Sequence, residues 1–504
     1  MKLNVNDYRN KVLGCWMGKN IGGTLGMPFE WKRQVNDVTF YTQELTGNLP
    51  NDDLDIQLLW LVAMEEQGVD ISTSTLAEYW MAFVTPHWAE YGNAKLNMRA
   101  GLLPPLSGDI NNVFRDSCGA FIRSEIWACI APGNPSLAAR YALEDAMIDH
   151  GSGEGTYAEV FCAAVESAAF VEDDIYKLVD IGFQYIPEDC AVAGAARCAI
   201  EGYRSGKTWL EARNAILEGY RGSAYFNQLE SVSPDDQARG FVTGKLGFDV
   251  PSNIGMFIAG LLYGGGDFDK TMSITVNCGE DTDCTAATAG ALFGIMHGAG
   301  AISPKWLEPI GRNITTGCLN IGELGNMGSQ LPQNLDELTD RTERLARQVL
   351  LRFPYGVEMT DEATSGAFDK AMLLPSRDFR RAVSHCDGTT IRSDYLEATV
   401  QYPDGAFLRA GEPTRVKLSL YNTHRIQTVV NVRWYTPEGW SVTPAAEGTL
   451  YVAWSEVLGA KSAEFTVIAP TVKAGVNRAV IEVTIDGKPT VILVPVMLFN
   501  GALE

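Results

Sequence analysis

Apolar residues recur every three to four positions across most of residues 8–351, in runs such as DIQLLWLVAMEEQ (55–67), YAEVFCAAVESAAFVEDD (157–174), IGMFIAGLLYGG (254–265) and LDELTDRTERLARQVLLRF (335–353). That spacing lays an apolar stripe along a helix, and the Gly and Pro clusters between the runs end each one. The first two thirds of the chain are therefore expected to be nearly all helix. One stretch interrupts the period: TPHWAEYGNAKLNMRAGLLPPLSGDINN (85–112) is rich in Pro, Gly, Asn and aromatic residues and reads as a long irregular connection.

Beyond Pro354 the period falls to two. ATVQYPDGAFLRAGEPTRVKLSLYNT, TVVNVRWYTPEGWSVTP, AEFTVIAP and AVIEVTIDGKPTVILVPVMLF alternate apolar and polar residues, are rich in Val and Thr, and are separated by turn residues. Short, evenly spaced strands of this kind predict an antiparallel sandwich of immunoglobulin-like type. The expected organisation is thus multi-domain: an all-α part over residues 1–352, a connecting segment over 353–395 and an all-β sandwich over 396–504. AGEPTRVKLSLYNT and PEGWSVTP resemble the accessory sandwiches appended to many bacterial carbohydrate-active enzymes, which suits glycan binding, dimerisation or the covering of an apolar face.

Composition narrows the partners. At 504 residues and 46% apolar, the chain can build the cores of two or three domains. A net charge of −22 with no basic block opposes a phosphate backbone, so no nucleic-acid partner is expected. No membrane-spanning run or secretory leader is read, and ten cysteines stand singly, without CxxC pairs. A cytoplasmic location is expected, and a homo-oligomer is compatible with it.

Two stretches carry unusual charge. PNDDLDIQLLW opens one expected helix with Asp52, Asp53 and Asp55; CGEDTDCTAATAGALFG opens another with Glu280, Asp281 and Asp283. One acid at a helix start is a cap or a partner for the helix dipole. Three within four positions repel one another and call for a counter-charge, which a hard divalent cation such as Mg²⁺ or Mn²⁺ supplies through oxygen ligands. In the GEDTDC stretch, Glu280 is expected to face outward. Helical isoprenoid synthases also bind Mg²⁺ through acids, but as DDxxD. Here the spacing is DDxD, Ile56 stands where the last Asp would be, and no Arg or Lys is expected close to either cluster to meet a diphosphate.

Three blocks together resemble the ADP-ribosylglycohydrolases: GCWMGKNIGGTLGMPFE (Gly14–Glu30), NDD (Asn51–Asp53) and GEDTDCTAATAGALFG. The resemblance covers about residues 8–350 and leaves out the sandwich. It implies that Asp52, Asp53, Asp281 and Asp283 hold one or two Mg²⁺ or Mn²⁺ ions, with Asn51 as a weaker ligand. It also implies that Glu30, otherwise an ordinary surface acid, faces the metal centre; Glu30 and Asp55 are the candidate proton-transfer groups. Glycines 14, 18, 22 and 26, at four-residue spacing, read as a packing stripe rather than a site. Departures from the family pattern are Asn51 and Leu54 where Thr is usual, Gly23 where Asp is frequent, and Cys284 at the place of a ligating Thr. A thiol suits Mg²⁺ poorly, which puts a second ion in question, with Thr282 and Thr285 the nearest substitutes.

A fourth stretch, DHGSGEGTYAEVF (149–161), resembles the family's His-containing, Gly-rich substrate loop. His150 with Gly151, Ser152 and Gly153 are the substrate-binding candidates, the plain alternative being a loop histidine satisfied by its neighbours. The reaction implied is metal-dependent hydrolysis of the C1 N- or O-glycosidic bond of an ADP-ribosyl conjugate through an oxocarbenium-like transition state. Two alternatives stand beside it. The same site could cleave a non-nucleotide furanoside or other glycoside, as Trp80, Trp88, Tyr91, Trp127 and the sandwich would suit, or the chain could be an inert binding or structural relative.

Overall fold

The computed structural model describes residues 1–221, 232–239, 249–320 and 330–501. The chain divides into two compact units, one of Met1–Lys95 with Ser107–Val383 and one of Leu96–Leu106 with Ser384–Glu504.

The first unit is helical. At its centre the helix Val5–Gly26 lies antiparallel against the helix Thr282–His297. Asn4 starts the first of these by accepting from the Asn6 and Asp7 amides, and from Gly14 to Gly26 the helix is buried on every side. Only small residues allow so close a crossing. A Cβ on Gly18 would lie 2.0 Å from the Gly290 carbonyl oxygen, one on Gly22 2.1 Å from that of Ala286, and one on Gly26 2.3 Å from that of Thr282. The glycine stripe and the small-residue run AATAGALFG are thus two halves of one seam. The Thr282 hydroxyl closes it by donating to the Gly26 carbonyl at 2.8 Å.

Two expectations change among the helices. Residues 85–112 are not simply a loop, since they carry the helices Ala89–Arg99 and Leu106–Asp109. The first has weak intrinsic preference, but it buries Glu90, Tyr91, Ala94 and Lys95 along one side, and the Lys95 ammonium donates to the Val84 and Pro86 carbonyls. Tertiary anchoring overrides propensity there. Among the aromatic candidates, Trp80, Tyr91 and Trp127 are core residues, with Trp60 stacked between Trp80 and Trp127 at 6.1 and 6.4 Å; Trp88 is exposed. Past the family-like region, strand β1 (Lys2–Asn4) pairs in parallel with β2 (Glu358–Thr360), so residues 353–383 pack with the helices.

The second unit is built on strands. In chain order these are β3 (Thr389–Arg392), β4 (Leu396–Gln401), β5 (Phe407–Leu408), β6 (Pro413–Asn422), β7 (Thr428–Tyr435) and β8 (Ser441–Thr443). They continue as β9 (Glu447–Val452), β10 (Lys461–Ile468), β11 (Val476–Ile485) and β12 (Val491–Asn500). One sheet runs β3-β4-β6-β10-β8 and the other β5-β12-β11-β7-β9. All pairings are antiparallel except β5 with β12. Alternate residues of both sheets, among them Leu396, Val416, Leu418, Val432, Ile481 and Val494, form one core, as the period-two pattern requires.

Candidate metal centre

The seam between the two small-residue helices determines where the acids go. At its open end the chain turns through Met27–Phe29 to Glu30, while the opposite helix begins at Asp281. Beside them the helix Asp52–Gln67 begins after Asn51, whose side-chain oxygen caps it by accepting from the Asp53 amide at 3.0 Å. Asn51 also explains Gly23, because a Cβ there would lie 2.0 Å from the Asn51 amide nitrogen. The two departures from the family pattern fill one another's space.

Capping accounts for Asn51 but not for the aspartates. Asp281 occupies the N-cap position of its helix with no side-chain capping bond. Among the described residues, Oδ1 of Asp281, Oδ1 of Asp283 and both oxygens of Asp53 have no hydrogen-bond partner, and these residues are 3%, 5% and 0% exposed. Burying ionised oxygens unpaired is costly, so these atoms call for a cationic partner. Donor atoms of Glu30, Asp281 and Asp283 all lie within 4.8 Å of one another, as do those of Asp53, Asp283 and Cys284. Asp283 belongs to both groups. Asp52, expected as a ligand, is half-buried and falls in neither group.

The electrostatics report the same crowding. Burial, and after it the charges of Asp283, Asp281, Asp52 and Asp53, push the Glu30 carboxyl up to about 11. Burial pushes Asp281 up to about 7, with the Asp53 charge adding to the shift and hydrogen bonds from the Cys284 and Cys118 thiols opposing it. Asp53 and Asp283 are driven well above the usual carboxylate range, chiefly by burial, and Asp52 is raised for the same reason. Carboxylates this close hold protons unless a cation takes their place. Orphaned buried oxygens on three aspartates, with Glu30 beside them, are a donor set that fits a divalent cation.

Several neighbours differ from expectation. Glu280 does not face outward: it is 3% exposed, and both its oxygens accept from Arg33, each at 2.7 Å. A left-handed backbone at Glu280 (φ 70°) turns it away from Asp281 and toward that guanidinium. Cations also lie nearer the acids than the sequence suggests. Lys19, on the glycine-striped helix, is fully buried and donates to Glu125 at 2.8 Å and to the Ile122 carbonyl at 2.6 Å, and its charge partly offsets the rise at Asp53. The Thr282 and Thr285 hydroxyls donate to backbone carbonyls. Asp55 ties down a loop, its Oδ2 accepting from the Gly317 and Cys318 amides at 2.7 and 2.6 Å, while Oδ1 is buried without a partner; burial raises this carboxyl to about 7.

The 149–153 stretch forms a different cluster. His150 is fully buried, with Nδ1 2.9 Å from the Arg115 carbonyl and Nε2 without a hydrogen-bond partner. Donor atoms of Glu90, Asp149 and His150 gather within 4.8 Å. Burial lowers the His150 imidazole and raises the Glu90 carboxyl to about 8. Gly151 adopts φ 62°, and a Cβ there would meet Asp109 at 2.3 Å. The Ser152 amide donates to Asp109 at 3.0 Å, and the amide of Glu154, following Gly153, donates to Asp116 at 3.2 Å. These amides serve carboxylates of the protein itself.

Residues missed by sequence reasoning are mostly charged groups inside helices. Arg123 is buried between Asp145 and Asp149, and the indole N–H groups of Trp60 and Trp127 donate to Asp145. Lys19, Glu125, Glu90 and Asn253, whose amide oxygen accepts from the Asp281 amide at 3.1 Å, belong with them. A charge set in an otherwise apolar or small-residue helix, as Lys19 is in GCWMGKNIGG, was the available signal.

A helical unit whose helix mouths bring buried acids together fits a divalent-cation site, and the family match gives the class of reaction. The family model for ADP-ribosylglycohydrolase matches residues 4–352, and the chain belongs to that family. Its members support glycosidic hydrolysis broadly and are typically metal-dependent. No curated protein sequence matches the chain.

Proposed function

We propose that this protein is a divalent-cation-dependent hydrolase of the C1 N- or O-glycosidic bond in ADP-ribosyl conjugates. The observation carrying this reading is the set of buried, unpartnered oxygens on Asp53, Asp281 and Asp283, which helix capping leaves unused. Asp281 and Asp283 with Glu30, and Asp53 with Asp283, are the groups that would hold Mg²⁺ or Mn²⁺; Asp52 belongs to neither group. Such a cation supplies Lewis acidity for a ribose diol or a water molecule.

The chain's own residues do the rest. Glu30 is half-buried at the turn after the glycine-striped helix, with a donor atom within 4.8 Å of those of Asp281 and Asp283; with a cation's charge offsetting the aspartates, its ionised carboxylate would take a proton from the attacking water. A bond forms between that oxygen and ribose C1, the C1–N or C1–O bond breaks, and the proton held on Glu30 passes to the leaving group. Asp55 contributes by holding the 317–318 loop, and Lys19 by compensating charge behind Asp53. Trp80, Tyr91 and Trp127 are core residues, so they do not favour a non-nucleotide sugar, and the intact acid set argues against an inert relative.

Incubation with ADP-ribosylated arginine and serine peptides, beside a panel of furanosides, tests the reading. Release of ADP-ribose that stops on chelation is the expected result. Cation-replete protein that cleaves only furanosides, or nothing, would contradict it.

A further inference from the structure

Cys284 stands where a ligating threonine is usual in the family, and the structure gives that replacement a setting. Its sulfur lies within 4.8 Å of donor oxygens of Asp53 and Asp283, and all three residues are buried. Asp53 is 0% exposed, and among the described residues neither of its oxygens has a hydrogen-bond partner. Asp283 adds a third unpartnered oxygen. The hydroxyls that could have replaced the missing threonine are directed to carbonyls: Thr282 donates to Gly26, and Thr285 to Asp281 and Thr282. Sulfur is therefore the remaining side-chain donor offered to this group from the first turn of the helix.

We infer that the Asp53–Asp283–Cys284 group is a thiolate-containing subsite selective for a borderline divalent cation of the Zn²⁺ or Co²⁺ kind, unlike the all-oxygen Glu30–Asp281–Asp283 group beside it. The inference rests on the cation-dependent reading above. Its chemical basis is that Mg²⁺ prefers oxygen donors and gains little from sulfur, whereas Zn²⁺ and Co²⁺ bind thiolate strongly. On binding, Cys284 loses its thiol proton to solvent and a metal–sulfur bond forms. Because Asp283 is shared, the two subsites are coupled, and the centre is hetero-selective: one position takes a hard cation and the other a borderline one.

The test uses the full chain and Co²⁺ alone as the probe, since thiolate coordination produces a near-ultraviolet sulfur-to-cobalt charge-transfer band that oxygen ligands do not. The expected result is such a band in the wild type and its loss in Cys284→Ser. Cys118→Ser should keep the band, because Cys118, although its thiol also hydrogen-bonds Asp281, is not in the group. Cys284→Thr should shift the preference between Zn²⁺ and Mg²⁺ toward Mg²⁺ by roughly tenfold or more. It also serves as the readout if the serine variant fails to fold. Calorimetry separates the two levels of failure. Cation binding with no sulfur band, or a band lost in Cys118→Ser, overturns the subsite and leaves the hydrolase reading standing. No binding of Mg²⁺, Mn²⁺ or Co²⁺ overturns both.

Discussion

At the residue scale, what matters is which polar atoms are already occupied. Among the described residues, Asn51 spends its oxygen on a cap, Thr282 and Thr285 spend theirs on carbonyls, and Glu280 is held by Arg33. The aspartates keep free oxygens. Sequence alone could propose Asp52, Asp53, Asp281 and Asp283 as one chemical group, because like charges at two helix starts are conspicuous. It could not tell Glu280 from its neighbours, since a single positive φ reverses its direction.

The pH dependence follows from the same atoms. Asp281, pushed to about 7, has a free value near 4, so between those values the folded chain binds the proton more tightly than the unfolded one. Its contribution to stability is present below about pH 4 and declines as pH rises through 7. Added Mg²⁺ or Mn²⁺ should reverse that decline, and cation affinity should fall as pH drops below 7, both readable from thermal melts and calorimetry across pH 5–8. Gly23 and Asn51 make a second prediction at this scale. Gly23→Asp alone should be destabilising, and Asn51→Thr should relieve part of that cost, with a coupling of about 0.5–3 kcal/mol in a double-mutant cycle.

At the element scale the site depends on one helix crossing. Glycines at four-residue spacing were legible as a packing stripe, but their partner was not, because sequence gives no register between helices 260 residues apart. The structure pairs Gly18 with Gly290 and Gly22 with Ala286, which brings Glu30 to Asp281 and Asp283. Gly22→Ala should therefore cost about 3 kcal/mol or more, as a backbone carbonyl cannot yield as a side chain can, and should weaken cation binding in parallel. Lys19→Met should cost about 3–5 kcal/mol by leaving Glu125 buried without its cation, the Gln57 amide remaining as a neutral donor, measured by denaturant unfolding. The helix at Ala89–Arg99 was illegible for the opposite reason: its weak local preference is overridden by burial and by the Lys95 contacts.

For the whole molecule, the change of period after Pro354 made the two architectures legible. The end of the helical unit was less so. Residues 353–383 have little periodicity of their own, yet β2 among them pairs with the N-terminal strand, and Val357 and Leu3 are both buried. A chain ending at Val383 should thus melt higher than one ending at Arg352, by several degrees in a thermal scan. Stability of the intact chain should also depend on cation concentration, because a ligand bound only by the folded state stabilises it by mass action, about 2.7 kcal/mol at one hundred times Kd.

Calorimetric titration of Mn²⁺ or Mg²⁺ into wild-type protein and Asp283→Ala shows whether the orphaned aspartate oxygens hold a divalent cation. Asp283 donates to both groups, so micromolar to millimolar binding in the wild type and its loss in a folded Asp283→Ala variant are the results predicted here. Equal binding in the two proteins, or none in the wild type, would show that these oxygens hold no cation.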